Sequence, residues 1–187
     1  MNARKLRVVA LASVAGAALI TPMLAGCSAG YKTDSEKQSM QSDVDRAVSE
    51  FKREDPSLAN WFRESYGYAI FPTVGKGAVG VGGAHGKGLV YEQGVPIGNA
   101  TLSQATIGLA LGGQAYREVI FFQNKAALDN FTGGHFEFAA QASAVAVTAG
   151  ASADADFENG MAVFTMEEGG LMFEASIGGQ KFSFNRW

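Results

Sequence analysis

The sequence predicts an α+β fold: a mainly antiparallel, strongly curved or barrel-like β-sheet with N-terminal helices and one short inserted helix. Three observations predict it. Helical periodicity is concentrated before Gly67, alternating apolar residues dominate after it, and the 187 residues include 24 glycines and 13 phenylalanines. A curved sheet needs glycine where strands bend or approach closely, and large aromatics to fill the space it encloses.

The first helix is read from Met40, Val44, Ala47, Val48 and Phe51, which share one face while Asp43, Asp45, Arg46, Glu50 and Lys52 fall elsewhere. It should end near Arg53, because Pro56 biases Asp55 away from helical geometry. Asp55 can then cap a second short helix that starts at Pro56 and carries Leu58, Trp61 and Phe62 on one side. Strand signals follow. Residues 68–71 form an apolar run ended by Pro72, and 78–83 and 88–92 flank Ala84-His85-Gly86-Lys87, which reads as a hairpin turn. Residues 100–112 alternate, and 118–122 form a β-branched and aromatic run. Asn124 opens a helix of two turns at most, with Ala127, Leu128 and Phe131 on its apolar side. Residues 136–148, 161–167, 170–177 and 181–184 complete the strands, with Glu168-Gly169 as a turn.

Ahead of this body stands a leader. Arg4, Lys5 and Arg7 precede an apolar run over 8–20, then Thr21-Pro22 and small residues ending in Leu24-Ala25-Gly26-Cys27. The run is shorter than the roughly 20 residues a spanning helix needs, so a secretory signal is expected rather than a membrane span. Leu-Ala-Gly-Cys resembles the lipobox of bacterial lipoproteins. That resemblance implies cleavage after residue 26 and acylation of Cys27, the only cysteine, with palmitate-type chains. It thereby explains a lone thiol in an exported chain. Two or three acyl chains, at about 0.8 kcal/mol per buried methylene, suffice for stable attachment. Ser28 stands where inner-membrane lipoproteins commonly carry Asp, which favours the outer membrane. The expected organisation is a signal peptide over 1–26, an acylated N-terminus and flexible tether over 27–38, and one domain over 39–187.

Removing the leader takes three of the 15 basic residues and none of the 18 acidic ones, leaving a formal charge of −6. That balance excludes sequence-independent nucleic-acid binding. Gly75-Lys76-Gly77-Ala78-Val79-Gly80 has the G-x-G-x-x-G spacing, but glycine-rich strand follows where a dinucleotide site needs a helix. Gly86-Lys87-Gly88 lacks the remainder of a phosphate loop. His85 and His135 have no cysteine or close carboxylate partner, so no metal or cofactor is expected, and His135-Phe136-Glu137 lacks the cysteine pair of a zinc deaminase. No nucleophile elbow occurs, and the sequence gives no positive support for an enzyme. Arg117 and Glu118 read as a rim ion pair.

The span from Gly67 carries a resemblance. Gly67-Tyr68-Ala69-Ile70-Phe71-Pro72-Thr73-Val74-Gly75-Lys76-Gly77-Ala78-Val79-Gly80-Val81-Gly82-Gly83, then Gly86-Lys87-Gly88-Leu89-Val90-Tyr91, Ala105-Thr106-Ile107-Gly108-Leu109-Ala110-Leu111-Gly112-Gly113-Gln114, Val119-Ile120-Phe121-Phe122 and the closing 169–177 resemble the SYLF domain family. The resemblance covers about residues 44–184. It implies a lipid-binding module, since eukaryotic members bind phosphoinositides and in some cases actin filaments, while bacterial members are mostly exported lipoproteins. Actin binding is not carried over. On this reading Lys76, His85 and Lys87, on one hairpin edge, contact a phosphate headgroup as point charges, with Tyr91 as an interfacial aromatic. The alternative is an interaction protein of the envelope whose apolar sheet face binds another protein.

Overall fold

The computed structural model describes residues 33–79, 81–107, 112–134, 136–138, 143–168 and 175–187. The leader, Cys27, residues 28–32 and His135 lie outside the described residues. Helix α1 (Asp34–Glu54) buries Val44, Ala47 and Phe51 along the predicted stripe. It begins inside the stretch expected to be a tether. The reason is local: the Thr33 hydroxyl accepts from the Glu36 amide at 3.2 Å, and Asp34 and Glu36 place negative charge on the first turn.

Helix α2 (Leu58–Glu64) starts later than predicted, with Ser57 as its N-cap. Asp55 instead holds the junction together. Its carboxylate accepts from the Ser57 hydroxyl, from the Ser57 amide at 3.0 Å and from the distant Ser152 amide at 2.7 Å. Trp61 Nε1 donates to the Ser152 carbonyl at 3.0 Å, so the loop around residue 152 is tied to both helices. Burial alone would raise the Asp55 pKa, but the hydrogen bonds from Ser57 and Ser152 outweigh it and hold the carboxyl at about 2.

The strands are β1 (Gly67–Val79), β2 (Val81–Glu92), β3 (Val95–Ile107), β4 (Gly112–Phe122), β5 (Ser143–Ala146), β6 (Met161–Glu167), β7 (Ala175–Ser176) and β8 (Gln180–Arg186). Helix α3 (Lys125–Thr132) follows β4, and Asn124 caps it as expected, accepting from the Ala127 amide at 3.0 Å. The sheet order is β7-β5-β6-β4-β1-β2-β3-β8, antiparallel except for β5 beside β6. Two sequence expectations are corrected here. Pro72 does not end β1, because the ladder shifts register on both sides between Ile70 and Val74 and the proline sits in that bulge. Residues 84–87 are not a turn but the middle of β2, paired with β1 and β3, and the β1–β2 ladder runs on to Val79 opposite Val81. Glycine is dense in β2 because the bulge crowds it: a Cβ on Gly88 would strike the Ile70 carbonyl and approach the Phe71 ring to 2.8 Å. The true turn signal of this region is Gln93-Gly94, both at positive φ, which closes the β2–β3 hairpin.

The sheet is open but tightly curled. One face carries α1 and α2 over Ile70, Leu89, Tyr91, Val119, Phe121 and Phe164. The other encloses Phe71, Val74, Leu102, Ile120, Phe122 and Phe182, with Phe131 of α3 packed against them. Strands β1 and β8 stand three positions apart, about 14 Å in a flat sheet, yet the Phe71 and Phe182 rings meet at 5.8 Å. Residues 136–138 run along the outer edge of β8, and β5, shortly after them, pairs with β6, so one length of chain reaches toward both edges.

Candidate functional site

Alternation along β2 sorts the predicted site residues. Ala84 and Val90 belong to the enclosed cluster, whereas Leu89 and Tyr91 belong to the cluster under the helices. His85 and Lys87 therefore share the helix-covered face, and both are exposed. Lys76 pairs with Ala84 and lies two residues beyond Val74, which puts it on the opposite face. It is not brought together with His85 and Lys87. Tyr91 is not an interfacial aromatic: it is 5% exposed beneath α1, stacks on Tyr68 at 4.6 Å, and its hydroxyl accepts from Gln41 Nε2 at 2.7 Å. Burial raises its pKa, with the Gln41 bond opposing and the Asp45 charge reinforcing that shift.

Beside Lys87 a groove of about 350 Å³ runs between α1 and the sheet, lined by Met40, Asp43, Arg46, Pro72, Arg117 and Glu168 among others. Arg46 is paired with Asp43 at 3.0 Å. Arg117, 18% exposed, bridges Glu50 of α1 at 2.9 Å and Glu168 at 3.2 Å, and the Thr73 hydroxyl donates to the same Glu168 oxygen at 2.9 Å. Lys87 makes no ion pair or hydrogen bond among the described residues. The groove thus presents three cations, two of them held by carboxylates and one free. Arg46 and Arg117 are not legible as site residues in the sequence, where Arg46 is one charge on the polar face of a helix and Arg117 stands beside Glu118.

Two comparisons with known proteins bear on this geometry. The family model described as Ysc84, Las17-binding protein actin regulator, matches residues 103–186. Beta cell expansion factor A of Aeromonas veronii is 30% identical over 142 residues, which is 74% of this chain and 53% of that protein. The chain carries a SYLF domain. It spans about half the length of the curated relative it matches.

In this SYLF domain Arg117 and Glu118 do not pair, because neighbours on a strand point to opposite faces. Arg117 enters the groove, while Glu118 is fully buried on the enclosed face with Tyr116, Ile120 and Phe122. Gln180 Nε2 donates to Glu118 Oε2 at 2.9 Å and to the Tyr116 hydroxyl at 3.1 Å. Burial pushes the Glu118 carboxyl up to about 8, against the lowering effect of the Gln180 bond. Tyr116 is raised as well, first by burial and then by the Glu118 charge. Among the described residues no cluster of His, Cys, Asp and Glu could hold a metal ion, and no helix is long and apolar enough to cross a membrane. Residues 75–79 are strand and Val81 opens the next strand, so no helix N-terminus follows the G-x-G-x-x-G spacing.

Proposed function

We propose that this protein is a lipid-anchored component of the bacterial cell envelope, at the outer membrane, whose SYLF domain binds anionic lipid headgroups without catalysing a reaction. SYLF membership points to lipid binding or an actin-related role, and an exported chain favours the first. The observation that carries the reading is the groove: Lys87 is exposed and unpaired, with Arg46 and Arg117 lining the same recess. A phosphate entering there meets Lys87 as a free point charge and can share the guanidinium donors now held by Asp43, Glu50 and Glu168.

Attachment favours the same face. Six residues separate Cys27 from Asp34, a reach of at most about 25 Å over seven Cα–Cα steps, and Asp43 lies only about 14 Å along α1. An acylated Cys27 therefore keeps the groove near the bilayer, where each juxtamembrane cation contributes about 1 kcal/mol.

Vesicle flotation of the chain from Ser28 onward tests the headgroup reading. Binding to phosphatidylglycerol vesicles, absent on phosphatidylcholine and weakening as salt is raised, is expected; no binding to either contradicts it and favours a protein partner. Mass spectrometry of protein extracted from cells tests the anchor. Acyl chains on an N-terminal Cys27 are expected, and a bare thiol or uncut leader contradicts them.

A further inference from the structure

The enclosed face holds polar atoms that the protein itself leaves unmatched. Glu118 Oε1, Gln180 Oε1 and Thr165 Oγ1 are all buried and have no hydrogen-bond partner. They belong to one neighbourhood: Thr165 is the register partner of Glu118 across β4 and β6, and Gln180 reaches Glu118 from β8. Unmatched buried oxygens cost free energy, and three such acceptors on three neighbouring residues match in number one group with three donors.

A groove opens nearby on the same strand. A groove of about 470 Å³ beside β5 has Phe138, Met161, Val163 and Ile177 on its apolar floor, all belonging to or packed against the enclosed cluster. Met161, Val163 and Thr165 point to one face of β6, so the unmatched hydroxyl lies only about 7 Å beyond the groove floor. Ile177 stands one turn before Gln180, whose amide donates to the Ile177 carbonyl at 3.1 Å. The rim is acidic: Asp154, Asp156 and Glu158 recur at every second position, while Phe157 between them packs against the helix-side core and Ala155 touches both that core and the groove. None of the three carboxylates has an ion pair among the described residues.

We propose that this groove and the polar layer behind it form a binding site for a small aliphatic primary amine, whose alkyl stem lies on Met161, Val163 and Ile177 and whose ammonium donates to Glu118, Thr165 and Gln180. The acidic rim attracts the cation, the floor takes the stem, and three N–H bonds meet three acceptors. An alcohol has one donor and no charge; a quaternary ammonium has charge and no donor. Both should be rejected. Among the described residues the groups facing Glu118 are Tyr116 on its own strand, Phe71 on β1, Thr165 on β6 and Gln180 on β8, with no cation among them, so the ammonium would bring the carboxylate a positive partner that these residues do not. Its arrival must ionise Glu118 and release a proton. This site stands on the opposite face from the headgroup groove and is independent of that reading.

Hexylamine is the probe. It should raise the melting temperature of the purified protein in a concentration-dependent way, while hexan-1-ol and hexyltrimethylammonium do not. Glu118→Gln should weaken the effect about tenfold and keep the fold, checked by circular dichroism, because it replaces a neutral carboxyl by an amide of the same shape. Calorimetry of the wild-type protein in buffers of different ionisation enthalpy gives a second reading: a proton released per amine bound at pH 7. No melting shift with hexylamine, an equal shift with hexan-1-ol, an undiminished shift in Glu118→Gln, or binding with no proton release would each overturn the proposal.

Discussion

Burial raises the pKa of both Asp55 and Glu118, yet the two carboxylates end on opposite sides of the ordinary range because of what surrounds them. Asp55 accepts several hydrogen bonds, and its pKa is held at about 2; its stabilisation is complete above the ordinary carboxylate range and disappears as pH falls toward 2. Glu118 accepts one bond and its pKa stands at about 8. The folded state therefore binds a proton that the unfolded state has released between roughly pH 4.5 and 8, and stability falls as pH rises through that window, by at most about 1.4 kcal/mol per unit. Denaturant unfolding at pH 5 and pH 8 should show this slope, and Glu118→Gln should flatten it. Asp55→Ala should cost about 3 kcal/mol at neutral pH, because it strands the Ser57 and Ser152 amides; a loss below about 0.5 kcal/mol would contradict the role given to this junction. Neither role was legible beforehand. Asp55 reads as the N-cap of the second helix, a place that Ser57 takes, while its partner Ser152 lies far along the chain, and Glu118 next to Arg117 resembles an ion pair until strand alternation separates them.

At the scale of elements, the periodic segments were legible and the glycine-rich ones were not. The stripe through Val44, Ala47 and Phe51, the Asn124 cap of α3 and the apolar run of β6 each carry a local signal that tertiary structure preserves. In β2 glycine serves close approach instead of reversal, so 84–87 imitates a turn. Substitutions separate the two uses. Gly88→Ala should cost about 2–3 kcal/mol, since its Cβ would meet the Ile70 carbonyl and the Phe71 ring. Gly77→Ala, where nothing lies within 4 Å, should change stability by less than about 1 kcal/mol in either direction. Thermal unfolding of the pair checks this, and equal effects would contradict the crowding assigned to the bulge. Thr33→Ala should loosen the start of α1 by about 1 kcal/mol, seen as faster amide exchange over its first turn.

For the whole molecule, the curled sheet keeps two faces chemically separate. The helix-covered face ends in a cationic groove, and the enclosed face ends in buried acceptors beneath an acidic rim. The SYLF pattern in the sequence pointed to lipid binding, and Lys87 was among the residues chosen from it. Arg46 and Arg117 could join it only after α1 was laid across the sheet, and Lys76 left it once β1 and β2 were in register. With a formal charge of −3 over the full sequence, and −6 once residues 1–26 are removed as proposed, the molecule as a whole is repelled by an anionic bilayer, so binding depends on where its few exposed cations stand. Lys76 and Lys87 carry the same charge on opposite faces, and comparing them tests the account most directly. In flotation with phosphatidylglycerol vesicles, Lys87→Ala should weaken binding about fivefold while Lys76→Ala leaves it within about twofold of the parent; equal losses, or a larger loss from Lys76→Ala, would contradict the groove as the headgroup site.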